Sequence, residues 1–142
     1  MKDILVIHPL DPTTDCLCTI YQDRQDCNVI RNPLTNPSDI ARALKTHSKI
    51  LLLGHGTEDG LLACSGGYRF GRYIVDGSHK TLLSGKNKLV WSIWCNSDRY
   101  FNSISDKQTG IHTSMIISEI SEEIAIFGRV ILPAVSLKQN MK

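Results

Sequence analysis

An excess of charge of either sign is missing from this 142-residue sequence. Its 16 Lys and Arg outnumber its 14 Asp and Glu by two, too few to draw nucleic acid or an anionic membrane by electrostatics alone. Long apolar runs are missing too. Residues 50–53 (Ile-Leu-Leu-Leu) form a strand-sized run, far short of the roughly 18 residues of a membrane span. Neither an internal repeat nor a low-complexity tract is present, so one domain over 1–142 is expected, at roughly 100–200 residues per domain. Four apolar residues, Ile4, Leu5, Val6 and Ile7, precede His8-Pro9 and are too few for the core of an export leader. A cytoplasmic protein is therefore expected. Its five cysteines, Cys16, Cys18, Cys27, Cys64 and Cys95, are odd in number and irregularly spaced, which favours free thiols. Cys16 and Cys18, with Cys27 and His8, lack the Cys-x-x-Cys spacing of a metal site, so no metal and no cofactor is expected.

What is present is an ordinary globular balance, 42% hydrophobic and 21% charged, in a chain long enough to fold without staples. Residues 3–7 read as a buried strand ended by Pro9. A helix is predicted over 12–22, with Asp11 as N-cap, Pro12 in the first position, and Cys16, Leu17 and Ile20 as its apolar stripe. A second strand follows at 27–31. A helix capped by Ser38 is predicted to run to Thr46, with Ile40, Ala43 and Leu44 on one face. Residues 49–54 form a third strand, apolar on both faces as in the middle of a parallel sheet. This β-α-β-α-β order predicts an α/β fold with right-handed crossovers. A hairpin with a glycine-rich turn is expected at about 60–76, a helical turn at 78–83, and a fourth core strand at 88–94. Polar residues 96–112 read as a loop. A helix is predicted over 114–127 from its isoleucine spacing, placed to pack on the sheet or to meet a second copy in a homodimer. An edge strand at 129–135 and a fraying tail at 136–142 complete the chain.

Two strand ends carry the chemistry. The third strand runs into Gly54-His55-Gly56 and the fourth into Cys95-Asn96-Ser97. Ligands of open parallel sheets bind at the carboxyl ends of the strands. If these two strands are neighbours, His55 and Cys95 emerge side by side as a base and a nucleophile. A nearby imidazole favours the reactive thiolate. The N–H groups of Gly56 and Cys95 are the expected oxyanion donors. Trp91, Trp94, Tyr100 and Phe101 surround the fourth strand, as core packing or as an apolar wall beside the nucleophile. His79 and His112 lie in polar segments and are expected at the surface, with His112 or Asp98 as candidates to line a cleft.

The run 49–60, Lys-Ile-Leu-Leu-Leu-Gly-His-Gly-Thr-Glu-Asp-Gly, resembles the His-Gly strand of the caspase-like cysteine peptidases, a superfamily that includes the caspase, metacaspase, gingipain, clostripain, separase and CHAT types. The order of parts is also similar: His-Gly, hairpin, short helical turn, then an apolar strand ending in Cys95. The resemblance covers residues 3–97. It implies a three-layer αβα sandwich with a mainly parallel sheet in strand order 2-1-3-4 and a β-hairpin insertion. It implies hydrolysis of a peptide bond in a peptide or protein substrate, with Cys95 as nucleophile, His55 as base, and Gly56 and Cys95 as the oxyanion hole. The residues flanking the nucleophile, Ile93, Asn96, Ser97 and Asp98, are the implied substrate-binding positions. Ile93 stands where many members carry an acidic or amide residue, and it cannot pair with a basic substrate side chain. A second expectation is a catalytically inactive binding or regulatory module on the same fold. A third is a flavodoxin- or receiver-like ligand-binding domain, which His8-Pro9 at the end of the first strand does not favour, because a receiver places acidic residues there.

Overall fold

The computed structural model describes residues 2–63, 72–85, 87–104 and 112. Its centre is a four-stranded, all-parallel sheet made of β1 (Ile4–Ile7), β2 (Cys27–Ile30), β3 (Lys49–Leu53) and β7 (Leu89–Ile93), in the order β2-β1-β3-β7. The expected strand order is thus the one found. A small antiparallel sheet follows β3 in sequence, with β4 (Gly56–Thr57), β5 (Gly60–Leu62) and β6 (Tyr73–Val75). The fold is α/β. Cys64, the hairpin's glycine-rich turn, the helix expected over 114–127, the strand over 129–135 and the tail lie outside the described residues.

Strand alternation divides the apolar side chains between two faces. Leu5, Ile7, Ile50, Leu52 and Val90 point to one core, which also holds Ile40 and Leu44 from α1 (Pro37–Thr46) and Tyr100 and Phe101 from α2 (Ser97–Asn102). Ile4, Val6, Leu51, Leu53, Trp91 and Ile93 point to the other, where Leu17 and Ile20 of a 3₁₀ helix (Pro12–Ile20) cover them. Burial on both faces is why β1 and residues 50–53 of β3 read as continuous apolar runs, and why β7 departs from one only at the buried Ser92. Among the described residues no helix is long and apolar enough to cross a membrane.

Several local expectations change. The helix after Asp11 has its predicted N-cap and leading proline but is 3₁₀, with Thr14, Leu17 and Ile20 buried at a spacing of three. Helix α1 is capped by Asn36, whose side chain accepts from the Ser38 N–H, rather than by Ser38. At its other end Lys88 donates to the carbonyls of Leu44 and His47, 2.6 Å each, tying the helix to the start of β7. The predicted helical turn is a short 3₁₀ helix (Gly77–His79), where half-buried His79 accepts from the Asp76 N–H. The segment expected as a loop after Cys95 contains α2, six residues that bury Tyr100 and Phe101.

The 3₁₀ helix is fastened to β1 by a buried polar cluster. His8 Nε2 lies 3.0 Å from the Thr14 carbonyl, which can only accept, so Nε2 carries the proton. Nδ1 therefore accepts from the Tyr21 hydroxyl at 2.7 Å. Burial, and next the nearby Arg31 charge, lower the His8 pKa to about 4. Burial lowers His112 to about 4 as well. An unfolded histidine takes up its proton near pH 6.5. The stability these neutral rings contribute is full above that pH and is lost as pH falls toward 4. Chemical denaturation at pH 7 and pH 4.5 is expected to show a loss of about 2 kcal/mol per ring. The loss should shrink in His8→Gln, and an equal loss in that variant would show that His8 is not the titrating group.

Candidate active site

The parallel ladder between β3 and β7 fixes the site's frame. Its register pairs Leu53 with Ile93, and the Gly54 N–H extends it by donating to the Ile93 carbonyl at 3.1 Å. His55 and Cys95 each lie two residues beyond that pair in sequence, past the carboxyl ends of neighbouring strands. At Gly54, φ is +146°, a conformation that favours glycine, and the chain leaves the sheet there toward β4. On the other strand, Cys95 is followed by Asn96 in the left-handed region, at φ 63°. Asn tolerates that conformation better than most side chains. It redirects the chain from β7 into α2 and leaves Cys95 half-buried and Asn96 exposed.

His55 is engaged by residues that follow β1. Its Nε2 lies 2.9 Å from Asp11 Oδ2 and 2.6 Å from Thr13 Oγ1. Asp11 is 1% exposed. Its two oxygens also accept from the Thr13 N–H at 3.1 Å and the Thr13 hydroxyl at 2.8 Å. The start of the 3₁₀ helix that follows β1 thus supplies Asp11 and Thr13 to His55, which follows β3, while Cys95 follows the neighbouring β7. Asp11 and Thr13 were not candidates in the sequence, where Asp11 reads only as a helix cap. The signal available was position, since the carboxyl end of β1 lies on the same edge as those of β3 and β7.

Trp94 fills the space over Gly56. A Cβ built on Gly56 would sit 2.2 Å from Trp94 Cδ1 and 2.5 Å from the Gly60 carbonyl oxygen. The indole N–H donates to the Thr57 carbonyl at 2.8 Å, so the ring braces β4 against β7. Trp94, Tyr100 and Phe101 are all core residues, packed edge-on or tilted against one another.

The implied substrate-binding positions separate into two groups. Ile93 is fully buried among Leu53, Trp91 and their neighbours, and Ser97 is fully buried against Ser92. Neither presents surface to a ligand. Asn96 is exposed, and half-buried Asp98 has one carboxylate oxygen, Oδ1, enclosed without a hydrogen-bond partner among the described residues.

A second pairing of nucleophile and base types, Ser92 Oγ and His112 Nδ1 at 2.7 Å, has a different meaning. Ser92 donates its one hydroxyl proton to Ser97 Oγ at 2.9 Å, so His112 donates to Ser92. Ser92 is 0% exposed, and the His112 ring is stacked on Phe101. The pair is a structural brace, and His112 is not the surface residue expected. Cys16, Cys18, Cys27 and Cys95 are free thiols. Burial pushes the Cys27 thiol up to about 11. Among the described residues no three His, Cys, Asp or Glu side chains gather as a metal site requires.

Comparison with family models, curated proteins and solved structures finds no match for the chain.

Gly56→Ala is expected to destabilise the protein by about 1–3 kcal/mol through overpacking. Trp94→Phe should recover only part of that loss, because the Gly60 carbonyl remains in the way. A double-mutant cycle of unfolding midpoints measures the coupling, and strict additivity would show that the indole does not confine Gly56.

Proposed function

We propose that the chain is a small caspase-like cysteine peptidase, acting on a peptide or protein substrate through Cys95 and His55. The observation that carries this reading is the pairing of β3 with β7, whose carboxyl ends lie side by side and lead, two residues on, to His55 and Cys95. Support also comes from the order β2-β1-β3-β7 and from the antiparallel hairpin inserted after His55-Gly56. In the finer reading, the fold is a three-layer αβα sandwich.

The chemistry follows from the residues. His55 accepts the Cys95 proton, and the sulfur attacks the scissile carbonyl carbon. The oxyanion forms beside the N–H groups of Gly56 and Cys95, and the protonated His55 returns its proton to the leaving amine. Water, deprotonated by His55, then hydrolyses the thioester and regenerates the thiol. Many caspase-like peptidases shape a charged primary pocket with an acidic or amide residue two before the nucleophile; here that position is the buried Ile93, so it gives no support to specificity for a basic side chain.

That same burial, with Trp94 closed over Gly56, favours a second reading: an inactive caspase-like module that binds a partner. Limiting alkylation by iodoacetamide, mapped to each cysteine across pH, separates the two. For the peptidase, Cys95 reacts first, and stays fastest below about pH 8, where a free thiol of pKa about 8.5 is mostly protonated. Cys27 is the slow internal control, and His55→Ala removes the advantage of Cys95. Cys95→Ala should abolish peptide hydrolysis while leaving the fold intact. Hydrolysis that survives in Cys95→Ala would refute the mechanism, and a Cys95 no faster than Cys16 would favour the binding module.

A further inference from the structure

We propose that Asp11 is the positioning residue of this site: its carboxylate holds the His55 proton on Nε2 and so makes Nδ1 the base. The inference rests on the reading of His55 as the partner of Cys95, and it names a third residue for that pair.

Counting protons leads to it. Three polar atoms lie within hydrogen-bond distance of one another: Asp11 Oδ2, Thr13 Oγ1 and His55 Nε2, at 2.8, 2.6 and 2.9 Å. The ionised carboxylate has no proton to give, and the hydroxyl has one. With a bare lone pair on Nε2, the Thr13 proton would serve only one neighbour, and Nε2 would face Oδ2 lone pair to lone pair. With the proton on Nε2, every pair is satisfied. The Thr13 hydroxyl donates to Asp11, and the imidazole N–H is shared between Thr13 Oγ1 and Asp11 Oδ2.

The carboxylate is well placed for this role. Asp11 is 1% exposed, so little water competes for its oxygens. It caps the 3₁₀ helix, with the Thr13 N–H on Oδ1. That helix is held down by Leu17 and Ile20 in the core and by the bond from His8 to the Thr14 carbonyl. The carboxylate is therefore fixed before any substrate arrives. When the imidazole takes the Cys95 proton, the positive ring stands 2.9 Å from a negative oxygen, which stabilises the thiolate–imidazolium state.

Asp11→Asn is the informative change. The amide oxygen can keep the helix cap, but its NH₂ group turns a donor toward Nε2. The imidazole then prefers its proton on Nδ1, the nitrogen that has to receive one. Nitrogen-15 NMR of the full chain, with histidines labelled, reports the tautomer directly. We expect Nε2–H in the wild type, Nδ1–H in Asp11→Asn, and Nε2–H retained in Thr13→Val, where the carboxylate remains. Cys95 alkylation should slow by about tenfold in Asp11→Asn and much less in Thr13→Val.

A wild-type Nδ1–H tautomer, or an Asp11→Asn protein that keeps Nε2–H, overturns the proposal. If Asp11→Asn does not fold, the wild-type spectrum and Thr13→Val decide, and a switch to Nδ1–H in Thr13→Val assigns the role to Thr13 instead. A switched tautomer with an unchanged Cys95 rate refutes the positioning role. If His55→Ala also leaves that rate unchanged, the Cys95–His55 pairing itself fails.

Discussion

The hydrogen-bond ladder that joins β3 to β7 is the constraint on which the rest of the structure depends. It runs in register from Lys49–Leu89 to Leu53–Ile93, and the Gly54 N–H carries it one step further. On one side of the sheet it aligns Ile50 and Leu52 with Val90, and on the other Leu51 and Leu53 with Trp91 and Ile93. A slip of one residue would exchange the two faces and turn both cores inside out. The same register sets the heights at which His55 and Cys95 leave the sheet. Packing and site geometry thus share one cause, and the apolar surface buried on both faces holds the strand ends in place.

Polar interactions do a different job on each face. Under the 3₁₀ helix, His8, Tyr21 and Thr14 pair donors with acceptors, with Cys18 beside the Tyr21 hydroxyl, in a place where an unpaired group would be costly. Beside β7, the hydrogen bonds run in one direction, His112 donating to Ser92 and Ser92 to Ser97. Neither cluster is open to a substrate. Each pins a short helix, with Asp11 at the start of one and Ser97 in the first turn of the other. The two short helices that border the candidate site are therefore fixed by buried hydrogen bonds as well as by apolar contact.

The sheet was legible in the sequence because its strands are apolar on both faces, a pattern that short amphipathic helices do not produce. Strand order came from the resemblance to caspase-like peptidases, since a β-α-β-α-β succession with right-handed crossovers leaves more than one order open. Helix type was not legible. Asp11 and Pro12 announce a start, but Thr13, Thr14, Cys16, Cys18 and Thr19 are weak α-helix formers, and the buried positions repeat every three residues. Helix α2 was hidden because six residues leave no room for periodicity. The cap of α1 was misplaced at Ser38; Pro37 takes the first helical position, which puts the cap at Asn36. His55 and Cys95 stood out through their neighbours and their strand ends. Alternation alone could have removed Ile93, which shares its parity with Trp91. Asp11 and Thr13 were missed because their contact with His55 spans about forty residues of sequence, a distance that only the folded sheet closes.

The proposed site is drawn from the segments that follow three parallel strands, and parallel strands cannot be joined by a tight turn. No hairpin-sized piece of the chain can hold Asp11, His55 and Cys95 together. A ribosome must finish β7 before the proposed pair, Cys95 and His55, can be aligned, and a nick between β3 and β7 would separate them unless the sheet held. In the proposed mechanism, the arming of Cys95 is therefore timed by chain topology: the pair can be assembled only after the last strand of the sheet has been made and has docked.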